Sequence, residues 1–561
     1  MNRRIVLGVL VLLGLVALGS AAGVLSSGAG QSARSERVAK HKSKKGKKGK
    51  KRKSKKKKRG KAKRAEPADT RMPNVLIVVW DTARADRMSL YGHSAPTTPG
   101  LQEFAREARV FEHAISPATW TVPSHASLFT GLPVTSHGAN ASWRWVDHHN
   151  ITLAEHLSAN GYATYAYSAN PYVSGMTNML QGFGTKRYSW DGPEKKLAVA
   201  AAKAKLIPTD ASTEISPAYQ STKPNVAWDH STFKEVGHLA NRDLGTWLKK
   251  RKDKDRPWFA FLNLMEAHSP RIPRMDARTA VMGDPALIEV GLKTDVSLWS
   301  EVSAILGKHS YSDRELDAVR GVYDASILEL DRAFAELIER LEQKGALDNT
   351  IVILTSDHGE SLGEHGLWEH RYGVWNTLVH VPLLIRYPKS MQPGRVAEPV
   401  TTSAIFPTVL DLIGLEGPKG VPLRRSLRRR KPDPAVFTQL TDPYTSKLGP
   451  FKKAYPDVDF GRFIRTYDAI YEGGKKLVRS SAGEHELYDL LDDPEELDNL
   501  YARHPEAAAY MERLEAWRAQ TPAADPNKRV AGDMKKGRGQ KTEARAMQKM
   551  LESLGYIEED E

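Results

Sequence analysis

The 561-residue chain contains no cysteine. That absence excludes disulfide bridges, thiolate metal sites and a cysteine nucleophile, and it leaves the compartment undecided, because an exported protein can fold without bridges. Long apolar runs are scarce: a single one, Ile5 to Leu25, reaches bilayer-spanning length, and a mean hydropathy of -0.48 excludes a polytopic membrane protein. Acid is missing from one stretch. Lys40 to Arg64 holds 18 Lys or Arg and no Asp or Glu, so the net charge of +16 leaves the rest of the chain at -2. A block of like charge cannot bury itself. It is expected to be disordered and to meet a membrane surface or another polyanion with little specificity, rather than to serve as a specific nucleic-acid arm.

Arg3 and Arg4 precede the apolar run, so residues 1–25 read as a signal peptide or an uncleaved membrane anchor, with a periplasmic or extracellular destination. The basic block behind it pulls the other way under the positive-inside rule. Residues 26–72 form a Lys-rich linker expected to be disordered, and the fold starts at Pro73. The runs Asn74–Trp80, Trp258–Leu264 and Thr350–Ser356 are continuous and apolar, as in strands buried on both faces of a parallel sheet. Amphipathic stretches at Leu101–Ala108, Leu153–Asn160, Phe233–Lys250 and Leu316–Lys344 alternate with them. The pattern predicts an α/β domain over 73–417, a mostly parallel sheet flanked by helices. Beyond Pro418, strand-like pieces at Ala435–Gln439, Phe463–Tyr467, Asp468–Glu472 and Lys476–Val478 and a helix near Pro505–Ala519 predict a smaller antiparallel subdomain over 418–521. A charged tail follows over 522–561.

Ligands of such sheets bind beyond the carboxyl ends of the strands, and there the runs deposit Asp81, Glu266 with His268, and Asp357 with His358. Asp81, Asp357 and His358 are oxygen and imidazole donors suited to a divalent cation; a helix cap with a hydrogen-bonded His is the bland alternative. Thr121, two residues before Pro123, reads locally as an N-cap. A helix starting at Pro123 would turn its free N–H groups toward Thr121 and favour an anionic substrate.

Three stretches, Asp81-Thr-Ala-Arg-Ala-Asp86, Thr119-Trp-Thr-Val-Pro-Ser-His-Ala-Ser-Leu-Phe-Thr-Gly131 and Ser356-Asp-His-Gly-Glu-Ser-Leu-Gly-Glu-His-Gly366, together resemble the sulfatase family of the alkaline phosphatase superfamily. Thr121-Val-Pro-Ser-His125 and Leu128-Phe-Thr-Gly131 follow that family's Cys/Ser-x-Pro-Ser-Arg and Leu-x-Thr-Gly pattern. Gly161–Thr164, Pro407–Leu412, Glu486–Leu490 and Asn499-Leu500 extend the match. The resemblance implies an alkaline-phosphatase-like fold, an anionic ester substrate and one divalent ion, Ca, Mn or Mg with Zn admitted, on Asp81, Asp357 and His358.

The departures shift the chemistry. Formylglycine arises from Cys or Ser, and Thr121 could give only a ketone, so no formylglycine is expected and the resemblance makes Thr121 itself the nucleophile, as in phosphodiesterase and phospho-transferase relatives of the superfamily. Thr82 replaces a second Asp, and His125 replaces a bracing Arg. The family's Lys and His that bind sulfate give way to Ser168-Ala-Asn-Pro171, with Asn170 as the nearest polar substitute. By family register His268 protonates the leaving group, and His370 with His125 and Asn170 holds the anionic oxygens; His137, His365 and Glu364 stand between supporting and structural roles. The reading is a hydrolase of sulfate, phosphate or phosphonate esters. Its rivals are a head-group transferase working through Thr121 and an inactive sulfatase-like binding protein.

Overall fold

The computed structural model describes residues 72–191, 234, 236–428, 434–443, 445 and 448–529. The runs singled out above form the centre of an eight-stranded sheet. Its strands are β1 (Asn74–Trp80), β2 (Arg109–Phe111), β3 (Ala163–Ser168), β4 (Thr185–Tyr188), β5 (Trp258–Leu264), β6 (Thr350–Thr355), β7 (Leu383–Arg386) and β8 (Gly394–Val396), in spatial order β8-β2-β7-β6-β1-β5-β3-β4. Only β7 runs against its neighbours. Every residue of β5 and β6, and all of β1 after Asn74, is buried, as helices on both faces of a parallel sheet require. Register brings the three strands to a level end: Val79 pairs with Asn263 on β5 and with Thr355 on β6. The residues that follow therefore meet in one crevice.

Five helices matter here: α1 (Thr121–Thr130), α2 (Val236–Lys250), α3 (Asp313–Gln343), α4 (Ile405–Ile413) and α5 (Ala507–Gln520). α3 starts in a capping box, Ser312 with Glu315, and a stripe of Val319, Tyr323, Ile327, Leu330, Phe334, Leu337 and Leu341 at helical spacing joins the main core. The predicted Leu101–Ala108 helix is a shorter one, Pro99–Phe104, running into a 3-10 turn at Ala105–Glu107. Leu153–Ala159 lies where expected, behind a Thr152–Glu155 capping box.

The C-terminal sheet is antiparallel: β9 (Val436–Leu440), β10 (Tyr467–Glu472), β11 (Lys475–Ser480) and β12 (Glu486–Asp489). Gly473 and Gly474, at φ 59° and 78°, make the tight turn between β10 and β11. Period-two alternation splits its side chains. Ile470, Leu477 and Leu487 form one cross-strand row under Ala507, Tyr510 and Leu514 of α5, while Ala469, Tyr471 and Val478 join the main core. Phe463–Tyr467 is not a strand. Phe463 sits in a 3-10 turn, Gly461–Ile464, because its ring drops into the core against Tyr372, 4.7 Å away; in its place β12 completes the sheet. The Ile5–Leu25 run, the Lys40–Arg64 block, Phe233 and most of the 522–561 tail lie outside the described residues. Among the described residues no helix is long and apolar enough to cross a membrane.

A buried ion pair ties β11 to the main body. Lys476 Nζ contacts Glu496 Oε1 and donates to Val374 O at 2.6 Å, and Glu496 Oε2 accepts from Asn376 N at 2.6 Å. Breaking such a pair leaves an uncompensated buried charge and costs about 3–5 kcal/mol. Glu496→Ala is expected to lower the melting temperature by several degrees, as thermal unfolding would record, whereas Glu495→Ala next to it is expected to change little.

Candidate active site

The crevice begins with strain. Asp81 N still pairs with Leu264 O at 2.8 Å, but the next residue, Thr82, turns to φ 62°, a left-handed conformation that a β-branched residue adopts at a cost of about 1–2 kcal/mol. Its neighbours hold it there. Thr82 N donates to Asp357 Oδ1 at 3.2 Å, and Thr82 O accepts from Tyr323 Oη of α3 at 2.6 Å. The Thr82 hydroxyl, where the family pattern carries a second Asp, is buried without a hydrogen-bond partner.

Thr121 enters from the opposite side. It is the first helical residue of α1, with extended Trp120 as N-cap, so the local expectation of a Thr121 cap before a helix at Pro123 is corrected by two positions. Pro123 in the first turn withholds an N–H that would have had no partner. The turn is clamped to the Asp357–His358 loop: Ser116 Oγ and Ser124 Oγ both donate to Asp357 O, the latter at 2.5 Å. Gly359 is needed after His358, because a Cβ there would lie 2.0 Å from Thr377 O.

Asp81, Asp357 and His358 each present a ligand atom, all within 4.8 Å of one another and all buried. His358 donates from Nδ1 to Gly359 O at 2.9 Å, which leaves the Nε2 lone pair facing the carboxylates. Asn170 and Asn263 donate to Asp81 Oδ2 at 2.7 and 3.2 Å, and His358 N to Asp357 Oδ1 at 2.9 Å. The remaining oxygens, Asp81 Oδ1 and Asp357 Oδ2, have no hydrogen-bond partner. Burial, reinforced at Asp81 by the nearby Asp357, pushes both carboxyls up to about 7, while burial lowers His358. Two buried acids with unpartnered inner oxygens and a nitrogen lone pair beside them match the donor set of a hard divalent cation.

The sequence-derived residues sit around this trio. Thr121 Oγ1 lies 3.5 Å from His358 Nε2 and 3.4 Å from Asn170 Nδ2. His125, one turn along α1, packs against Phe129 and Phe261; its Nδ1 donates to Thr121 O at 3.0 Å and lies 3.3 Å from Asp357 Oδ2. Burial lowers its pKa to about 3, so it is a neutral imidazole against the back of the trio. His370 lies between His358 and His268, tilted against the first ring at a centroid distance of 4.5 Å and edge-on to the second at 5.4 Å. Its Nδ1 donates to Glu360 Oε1 at 2.8 Å, and Glu360 Oε2 accepts from Arg271 at 2.6 Å. His268 donates from Nδ1 to Ser269 O at 2.6 Å; burial, His370 and Lys234 hold its pKa well below the usual range.

Three residues near Thr121 in the motifs stand outside the cluster. His137 braces α1 through Ser127 at 3.0 Å, Glu364 pairs with Arg84 at 2.9 Å, and His365 stacks on Trp375. Asn263, Glu360 and Arg271 belong to the site and were not singled out from the sequence. Asn263 carried a signal: an amide inside a fully buried apolar strand must find polar partners.

Comparison with known proteins identifies the family and the fold. Residues 73–415 match the family model described as Sulfatase. An ulvan-active sulfatase of Formosa agariphila is 26% identical over 79% of this chain and 80% of its own length, and an arylsulfatase K of Bos taurus is 25% identical over 79% and 80%. Among solved structures, the phosphonate monoester hydrolase of Agrobacterium radiobacter shares the fold at TM-score 0.60 with 23% identity, covering 80% of this chain and 96% of the other.

Carboxyls raised in the folded state stabilise it fully below their unfolded pKa, and that contribution is lost as pH rises through the folded value. With metal stripped, the contribution of Asp81 and Asp357 therefore declines between the ordinary 3.8 and about 7. Added Mn²⁺ or Ca²⁺ is expected to raise the melting temperature far more at pH 8 than at pH 5, because the ligands must be deprotonated. Asp81→Asn is expected to abolish most of that pH-dependent gain, which parallel thermal scans would reveal.

Proposed function

This chain belongs to the sulfatase family, and on that premise we propose that it is a metal-dependent ester hydrolase in which the Thr121 hydroxyl attacks a sulfate, phosphate or phosphonate ester. Its relatives are ester hydrolases, and members of the family use a metal ion. The observation that carries the reading is the placement of Thr121 Oγ1, buried in the first turn of α1 beside His358 Nε2 and Asn170 Nδ2. Asp81, Asp357 and His358 would hold the ion. A bound divalent ion supplies positive charge that lowers the pKa of a hydroxyl and offsets charge building on the transferred group.

Thr121 passes its proton to solvent, and Oγ1 bonds to sulfur or phosphorus as the bond to the leaving oxygen breaks. His268 is neutral in the free protein, where burial and then the His370 and Lys234 charges hold its pKa down; an arriving anion counteracts those charges, so His268 takes up a proton from solvent as substrate binds and gives that proton to the leaving oxygen. Water then attacks sulfur or phosphorus, releasing the acid and restoring the Thr121 hydroxyl. Asn170 orients Oγ1, and Glu360 fixes the His370 ring. A Thr ester has no second hydroxyl through which to expel sulfate, so release depends on attack by water, which favours phosphate and phosphonate esters. Formylglycine has no precursor here, since oxidation of Thr stops at a ketone.

Aryl sulfate, aryl phosphate, phosphodiester and phosphonate assays, run with metal analysis, test the reading. Thr121→Ala is expected to lose about 10³-fold or more in kcat/KM while retaining metal; undiminished turnover would remove Thr121 from the mechanism, and a metal-free, inactive wild type would favour the binding-protein reading. His268→Ala is expected to lose about 10²–10⁴-fold with alkyl leaving groups and much less with nitrophenyl esters, which need no proton. Equal losses would assign the proton elsewhere.

A further inference from the structure

At the far end of the same strands lies a second concavity, of about 420 Å³, which the ester chemistry does not use. Asn74 opens β1, Trp258 opens β5 and Asn349 precedes β6, so this hollow sits at the amino ends of the strands whose carboxyl ends carry Asp81, Met265 and Asp357. A seven-residue strand separates the two by about 20 Å.

The lining is strongly basic: Lys249, Arg251, Lys254, Arg256 and Lys344 against Asp255. Two acids stand against the five cations: Asp255 in the lining, and Asp253, whose charge acts on Arg251 and whose Oδ1 accepts from the backbone N–H groups of Asp255 and Arg256. Lys254 Nζ donates to Leu248 O and Lys249 O at the carboxyl end of α2, Arg256 donates to Gly161 O and Tyr162 O, and Arg251 donates to Arg256 O. Backbone carbonyls satisfy donor geometry and carry no net charge, so the positive potential of the hollow persists. Burial lowers the pKa of the partly buried Arg251, opposed by the Asp253 charge and assisted by that of Arg256.

We propose that this hollow is an anchoring site for an acidic polysaccharide, which holds a polymeric substrate while the Thr121 crevice works on an ester of the same or a neighbouring chain. The polysaccharide, rather than a nucleic acid, follows from two observations. The lining presents no exposed aromatic ring for a base to stack on, its one Trp being 4% exposed. Relatives carry the names ulvan-active sulfatase and N-acetylglucosamine-6-O-sulfatase, which places saccharide esters among the family's substrates. The choice of polymer thus rests on the ester-hydrolase reading, whereas the binding itself does not need Thr121. Two separate contacts on one polymer raise its effective concentration at the crevice.

The experiment uses the full chain in the Thr121→Ala background, titrated with labelled chondroitin sulfate, neutral dextran, duplex DNA and phosphatidylglycerol vesicles at several salt concentrations. Lys249→Gln with Lys344→Gln removes two rim charges that make no hydrogen bond noted above. Lys452→Gln with Lys453→Gln is the control for loss of charge elsewhere. The rim pair is expected to weaken chondroitin sulfate binding about tenfold or more and to flatten the slope of log affinity against log salt by about two, with the control pair and neutral dextran unchanged. Introduced into the otherwise wild-type chain, the rim pair is expected to leave hydrolysis of small aryl esters intact, so failure of the anchoring site and failure of the nucleophile are read separately. Unaltered affinity would overturn the proposal. An equal loss with DNA would reduce the hollow to a nonspecific basic patch, and a loss confined to vesicles would assign it to a membrane surface.

Discussion

Two carboxylates buried side by side are the constraint around which the molecule is arranged. Asp81 and Asp357 end neighbouring central strands, and like charges in a dry crevice repel. The protein answers only half of their need. Asn170, Asn263 and backbone amides occupy the outer oxygens, and the inner oxygens face each other without donors. That donor set suits a hard divalent cation. The left-handed turn at Thr82, the two hydroxyls on Asp357 O and the close approach at Gly359 are all means of keeping those oxygens in place.

The departures from the family pattern are consistent with one another in this setting. A Thr at position 121 keeps a hydroxyl beside His358 and gives up oxidation to an aldehyde. His125 replaces a guanidinium with a neutral, buried imidazole, so no fixed cation abuts Thr121 from within α1. His268, His358 and His370 lie together in the crevice. His370 is the best supported of these, because Glu360 and Arg271 behind it set its ring plane and tautomer. The basic hollow at the opposite end of the sheet separates holding a polymer from cleaving it.

Much of the fold could be read along the chain. Continuous apolar runs of six or seven residues ending in Asp, as at Asn74–Trp80 and Thr350–Thr355, have few structural solutions, and the capping boxes at Thr152 and Ser312 mark helix starts locally. Phe463 shows where this fails. Its strand-like surroundings were outweighed by a core position against Tyr372, a contact between residues far apart in sequence. Helix α1 began at Thr121 instead of two residues later for a similar reason: Ser124 had to reach Asp357 O.

Asp81, Asp357, His358 and Thr121 could be picked out as candidates from the sequence alone, because their residue types follow buried strands or a patterned turn whatever the rest of the chain does. Which nitrogen of His358 is free, that His125 faces inward among phenylalanines, and that Asn263, Glu360 and Arg271 complete the site were decided only in three dimensions. Side-chain direction depends on strand register and on partners that lie tens to hundreds of positions away, such as Asn170 beside Asp81 or Arg271 beside Glu360. Local pattern carries no record of those distances, and packing supplies them.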